Sequence, residues 1–270
     1  MSKFIKPIFT EEGHRYDSSL GRYTSVTTRI HAYEPEKDWI GIAKMYLAKR
    51  TAEDVIKDLM QKQHKSRLEV VNMIGGRPIN VETMQSIWKQ YSAERCEFGS
   101  KEHAYREGKD LSTAIHKISE ELSLPVGINP KPVVDYYKDL PDGVYPELLL
   151  WDNETMTSGT ADRVIIQTVN GVRYVYIEDY KTNKELRDYN YLDKRGNPVI
   201  NEYMLPPFDR FCNCNYWHYQ IQLNMYGYML SKFGFVVKGG TIIHTTDNDK
   251  RIILKNLQPY VAKAFEQWKV

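Results

Sequence analysis

Cysteine is scarce. The chain of 270 residues has three, Cys96, Cys212 and Cys214. That is too few for a four-thiolate iron–sulfur cluster, and a single residue between Cys212 and Cys214 is too close a spacing for a zinc knuckle. The odd, low count fits free thiols in a reducing compartment. Long apolar runs are missing too. No segment approaches the ~18 apolar residues needed to cross a bilayer, and the opening MSKFIKPIFTEEGHRY has no apolar leader segment. The expectation is a soluble, cytoplasmic protein with no membrane partner. A large excess of one charge is also absent. A net charge of +2 is not the footprint of a uniformly basic nucleic-acid binder, and it leaves only local basic clusters to consider. There is no internal repeat and no low-complexity tract.

With 41% hydrophobic residues, a sizeable core can form. His14-Arg15-Tyr16 and Tyr23-Thr24-Ser25-Val26-Thr27 suggest a short hairpin followed by a Ser/Thr-capped turn. Trp39, Ile42, Ala43, Tyr46, Leu47, Val55 and Leu59 have helical spacing over 37–63, and Gly75-Gly76-Arg77-Pro78 is a break. No proline occurs from Val81 to Glu121. Gly99 and Gly108 are therefore the expected breaks in what would otherwise be a very long helix. Pro125 to Pro132 reads as a loop, Tyr145 to Trp151 as a strand, and 185–215 as a long polar and aromatic connection. Tyr216 to Phe233 is a helix candidate, Gly240 to His244 the last strand and Leu257 to Trp268 a closing helix. Strands alternating with helices indicate an α/β fold. The expected organisation is a single domain over 1–270, with a largely helical N-terminal part over 1–98 and a core over 99–270.

The segment Gly159 to Lys184, GTADRVIIQTVNGVRYVYIEDYKTNK, carries the chemistry. Asn170-Gly171 signals a two-residue type I′ turn between two strands. The register set by that turn opposes Ile166 to Val175, Val164 to Ile177 and Asp162 to Asp179, all on one face. Lys181 shares that face. The other face opposes Arg163 to Glu178, an ordinary cross-strand ion pair. Like charges directly opposite destabilise a sheet. Two readings follow: a solvated strand end where both acids meet water, or a site where both carboxylates bind one divalent ion.

Gly159-Thr160-Ala161-Asp162 followed by Asp179-Tyr180-Lys181-Thr182 resembles the G-x-x-D…D/E-x-K signature of the PD-(D/E)XK nuclease superfamily. Gln222-Leu223-Asn224-Met225-Tyr226 resembles the Q-x-x-x-Y motif of its RecB-like branch, and Glu147 in YPELLLW stands where that branch has another acid. Together with YTSVTTRI, MLPPF and YWHYQIQLNMYGYML, the pattern over residues 14–245 is similar to bacteriophage-type exonucleases of the branch. The resemblance implies a central mixed β-sheet flanked by helices, a restriction-endonuclease-like core. It implies a Mg²⁺- or Mn²⁺-dependent deoxyribonuclease, an exonuclease in phage recombination or DNA processing, placed in the host cell cytoplasm if of phage origin. The alternatives are a structure-specific endonuclease, an RNA-directed nuclease on the same site, or an inactive nucleic-acid-binding module.

Under that resemblance Asp162 and Asp179 are metal ligands, with Glu147 a further ligand directly or through water. Lys181 orients the attacking water or stabilises the phosphate. Gln222 and Tyr226, four apart, share one helix face and are implied to position the nucleic acid. The alternative for Tyr226 is a plain core residue. The branch also has a G-x-x-x-H metal-ligand histidine. Gly99-Ser100-Lys101-Glu102-His103, with Glu107, is favoured for it over Ser112-Thr113-Ala114-Ile115-His116, with Glu120, which lacks the Gly. Lys181, Lys184, Arg187, Lys194 and Arg195 form a basic segment that either tracks a DNA backbone or, with Asp188 and Asp193 among them, is a solvated mixed-charge loop. DNA is the expected partner. A single-strand annealing or recombination protein and a homo-oligomer remain open.

Overall fold

The computed structural model describes residues 5–13, 15–113, 115–117, 123–125 and 140–269. His14, Ala114, Glu120 and the greater part of the expected 125–132 loop lie outside them. Two compact units are present. One comprises residues 1–35 with 102–270, and the other residues 36–101.

The smaller unit is helical. It contains α2 (Trp39–Leu47), α3 (Ala52–Gln63), α4 (Arg67–Ile74) and the greater part of α5 (Val81–Leu111). Thr51 and Ser66 start α3 and α4 with capping boxes closed by Asp54 and Glu69. Gly75, left-handed at φ 62, ends α4 where the Gly-Gly-Arg-Pro break is expected. Val55, Leu59, Val70, Met73, Ile74, Met84 and Ile87 form its core. The breaks expected at Gly99 and Gly108 do not occur, because α5 is continuous over 31 residues. A helix-interior glycine costs only about 1 kcal/mol relative to alanine, too little to stop a helix with no proline in it.

The larger unit is an eight-stranded mixed sheet with helices packed on it, the α/β architecture expected. Its first strands are β1 (Ile8–Thr10), β2 (Arg15–Ser18) and β3 (Gly21–Ser25), and Ser25 Oγ then caps α1 (Val26–His31) by accepting from Thr28 N–H. After a small β4 (Ile115–Lys117) and β5 (Ser123–Pro125) pair come β6 (Gly143–Asp152), β7 (Thr157–Val169) and β8 (Val172–Lys181). Two short strands, β9 (Tyr191–Leu192) and β10 (Pro198–Val199), interrupt the long connection to α6 (Asn215–Lys232). β11 (Val236–His244), β12 (Lys250–Ile253) and α7 (Gln258–Gln267) complete the unit. The order is β1-β2-β3-β7-β8-β11-β12, with β6 also on β7. β3 is parallel to β7 and β11 is parallel to β8. β11 is not the last strand. β12, only four residues long and largely exposed, leaves little apolar periodicity to read.

The hairpin register is the one that Asn170-Gly171 sets. Both residues have positive φ, 52 and 77, as a type I′ turn requires. Ile166 pairs with Val175, Val164 with Ile177 and Arg163 with Glu178. Val164, Ile166, Val175 and Ile177 join α6, α1 and α7 residues in the main core, and Ile165 and Tyr176 pack with Leu124 and Val144 in a separate cluster. α6 is buried at nine positions around its circumference because it packs on β8 and β11 and also against α7. Among the described residues no helix is long and apolar enough to cross a membrane.

The Arg163–Glu178 ion pair is real but larger than the hairpin alone suggests. Arg163 Nη1 donates to Glu178 Oε2 at 2.6 Å, and its Nη2 and Nε bond Asp110 at 2.7 and 3.0 Å, all three side chains being buried. Arg251 also pairs with Glu178. Replacing Arg163 with methionine removes the guanidinium from buried Asp110 and leaves Glu178 with Arg251 alone. The expected cost is about 3–5 kcal/mol, read as a lower urea midpoint at unchanged slope; a loss below about 1 kcal/mol would show that the network is not holding the strands.

Candidate metal centre

The site begins with a gap in the sheet. Along one edge β7 pairs with β3 at Thr157 and Ser158, and with β8 only from Arg163 onward. Gly159 to Asp162 fall between these ladders, although β6 still pairs the other edge. β8 continues past Glu178 on β11 alone, with Asp179 opposite Ile242 and Lys181 opposite His244. Asp162 and Asp179 are thus the first pair past the end of the ladder. The Asp162 side chain substitutes for the missing backbone bond, its Oδ2 accepting the Tyr180 N–H at 2.7 Å.

Neither acid is solvated. Asp162 is 8% exposed and Asp179 1%, so the reading of a solvated strand end is set aside. Lys181 Nζ lies 2.5 Å from Asp179 Oδ2 and 4.6 Å from the centre of the Tyr219 ring, with the Tyr219 hydroxyl tied to Asn183 Oδ1. Glu147 belongs to β6. The register on both sides of it, Pro146 with Arg163 and Leu148 with Ala161, sets it across from Asp162, and its backbone is left-handed at φ 47. A non-glycine residue there stores strain, a feature that concentrates at functional sites.

His103 comes from α5, in the stretch 102–111 that belongs to the larger unit. Its Nδ1 is 3.3 Å from Asp162 Oδ1. His103, Glu147 and Asp162 each offer a ligand atom within 4.8 Å of the others, the one such group among the described residues. Asp179 is outside that trio and is engaged with Lys181. His116 is in a strand, β4, rather than on the helix its apolar spacing suggests.

Gln222 and Tyr226 meet each other. Gln222 Nε2 donates to the Tyr226 hydroxyl at 3.1 Å. Tyr226 is buried in the core, and a Cβ at Gly159 would lie 2.9 Å from its Cε1. The glycine of the G-x-x-D stretch is therefore required by the tyrosine ring packed on it. Gln220, by contrast, is structural, its Oε1 accepting Lys255 N–H at 2.7 Å. Along the basic segment Arg187 pairs with Glu185, Asp193 caps its own turn through Arg195 and Asn197 N–H, and Lys184, Lys194 and Arg195 are exposed.

The charges are strongly coupled. Burial raises Glu147, and the charges of Asp162, Glu107 and Asp179 raise it further against the pull of His103, to about 8. Burial and Asp162 likewise lift Asp179 to about 6 although Lys181 opposes them. For His103 burial works against the imidazolium, but the hydrogen bond and charge of Asp162 outweigh it and push the group up to about 9. Burial opposes ionisation of Asp162, and His103 and Lys181 more than offset it, so this acid stays below its ordinary range. Burial, then Asp179, hold the Tyr226 hydroxyl well above its usual value, so it is neutral.

Arg106 and Asp110, three and seven residues after His103, and Tyr180 and Tyr219 escape a reading by motif. The first two share the His103 face of the helix, a signal that helical spacing does contain. No family model, no curated protein and no solved structure matches the chain.

The shifts fix the sign of a pH effect in metal-free protein. Glu147 rises from 4.5 to about 8 on folding, so its contribution is full below 4.5 and is lost as pH climbs through 8. His103 rises from 6.5 to about 9, with stability present below 6.5 and lost through 9. Melts in chelator should therefore fall steadily from pH 5 to pH 9. Glu147→Gln should flatten the slope below pH 8 and melt higher than wild type at pH 8, and an unchanged slope would remove Glu147 from the coupled group.

Proposed function

We propose that this chain is a divalent-metal-dependent nuclease that hydrolyses DNA phosphodiester bonds, with a restriction-endonuclease-like core of the PD-(D/E)XK type. The observation that carries the reading is the convergence of Asp162, Asp179, Glu147, His103 and Lys181, from β7, β8, β6 and α5, at one gap in the sheet. Buried acids that raise one another's pKa are costly to fold, and a cation is the chemistry that removes the cost.

The residues present fit such an ion. His103, Glu147 and Asp162 offer ligand atoms within 4.8 Å of one another, and Asp179, buried beside them, has Lys181 Nζ at its Oδ2. Oxygen donors suit Mg²⁺, and the imidazole tilts the set toward Mn²⁺. Asp162, Glu147 and His103 would hold the ion, with Asp179 as a further ligand. When bound, the ion supplies an activated water and neutralises charge on the phosphate.

The protein's own groups do the rest. Lys181, held between Asp179 and the Tyr219 ring, keeps an ammonium beside the acids, since burial opposes its charge but Asp179 and Asp162 raise its pKa. It orients the water or pairs with the charged phosphate. Half-buried Gln222 is the member of its pair able to meet DNA, and Tyr226 orients it from below. Exposed Lys184, Lys194 and Arg195 add attraction for a phosphate backbone. An exonuclease serving phage recombination or DNA processing is the form we favour, on the similarity of the extended motif pattern.

Linear and covalently closed circular DNA, each with Mg²⁺, Mn²⁺ or chelator, test the reading. Metal-dependent loss of linear DNA alone is expected; nicked circles would indicate an endonuclease, and no cleavage a binding module. Lys181→Met should cut at least 100-fold more slowly, a loss of about 2.7 kcal/mol in the barrier, while binding DNA within a few-fold of wild type. Near wild-type cleavage by that variant would remove Lys181 from the chemistry.

A further inference from the structure

His103 reaches the site from a helical stretch with almost nothing apolar to dock it. Over residues 102–111 Ala104, Tyr105 and Leu111 are exposed and Asp110 is the one buried side chain. Two polar anchors on the same face take the place of packing. Asp110 is bonded by the buried Arg163 guanidinium. Arg106, one turn beyond His103, bonds Glu102 at 2.7 Å on its own helix and Asp249 at 2.8 Å in the turn between β11 and β12. Its guanidinium carbon also lies 4.8 Å from the centre of the Tyr180 ring. Tyr180 is the residue whose backbone N–H holds Asp162, and it is buried.

Arg106 therefore touches the strand that orients one acid, the turn beside that strand, and the helix that carries the histidine. The planar guanidinium suits this role, because it can stack on a ring and bond carboxylates in the same plane. We propose that Arg106 is a positioning residue: through Tyr180 and Asp249 it holds His103 at the distance from Asp162 and Glu147 that a shared cation needs. The inference rests on the metal-dependent reading above, and it assigns to Arg106 a role that the D-x-K and G-x-x-x-H motifs do not contain.

Mn²⁺ binding by calorimetry on the full chain tests it without reference to cleavage. Wild type, His103→Ala, Arg106→Ala and the double variant are compared, with circular dichroism to confirm folding. Loss of an outer partner of a ligand weakens metal binding by about 10–100-fold. Arg106→Ala should weaken Mn²⁺ by about tenfold, and the double variant should bind no more weakly than His103→Ala, because the two changes remove one interaction. A purely structural arginine would not give that non-additivity. Asp249→Asn, which lies on the turn and keeps the side-chain shape, should weaken Mn²⁺ in the same direction and decides the matter if Arg106→Ala fails to fold. Wild-type affinity in the folded Arg106→Ala protein, or losses that multiply in the double variant, overturns the role. No Mn²⁺ binding by wild type overturns the metal reading itself, and this inference with it.

Discussion

The hydrogen bond from Tyr180 N–H to Asp162 Oδ2 is the contact around which the rest of the site is arranged. A strand pair normally closes with backbone bonds, and here the ladder between β7 and β8 stops one residue short of the two acids. A carboxylate completes it instead. The substitution keeps β7 and β8 side by side while leaving room between them, and it spends one of the two Asp162 oxygens on structure. The other oxygen faces His103. A single buried carboxylate thus joins the sheet to α5, and everything that could recognise a cation is hung on that link. Glu147, on β6 across from Asp162, completes the trio, and its backbone is left-handed at that position of the strand.

Much of this was legible locally. The Asn-Gly turn determines the hairpin register because only a φ-positive pair closes two twisted strands so tightly, and from the register the meeting of Asp162 with Asp179 follows. Ser25 announces the start of α1 through its own side-chain bond, whereas the helical spacing over 37–63 runs through Thr51, where the chain ends α2 and caps a new helix, α3. What could not be read has a common physical cause: it depends on contacts far apart in sequence. The continuity of α5 through Gly99 and Gly108 is one case, since a small local penalty says nothing about what the helix later touches. The shift of His103 rather than Asp179 into the closest trio is another, set by the contacts of residues 102–111 with β7. The burial of Tyr226 against Gly159 is a third. A Q-x-x-x-Y spacing identifies one helix face but not whether that face looks at solvent or at a glycine in a strand.

The charges around the gap oppose one another in an order that argues for their purpose. Asp162 stays ionised because His103 and Lys181 offset its burial, and that ionised acid is then the largest charge raising both its neighbours, Glu147 and Asp179. A core evolved only for stability would replace such a group by apolar residues, which commonly costs nothing and often stabilises. The Arg163 network a few ångströms along the same strands illustrates the structural alternative: there two buried acids share a guanidinium, and Glu178 has a second arginine in Arg251. At the gap, by contrast, three acids share one lysine and one histidine. The same hairpin therefore carries a balanced cluster on one face and an unbalanced one on the other. The imbalance is met in the metal-free protein by protons held on Glu147 and His103, and those are the protons a divalent cation at these ligand atoms would displace and a neutral ligand would not.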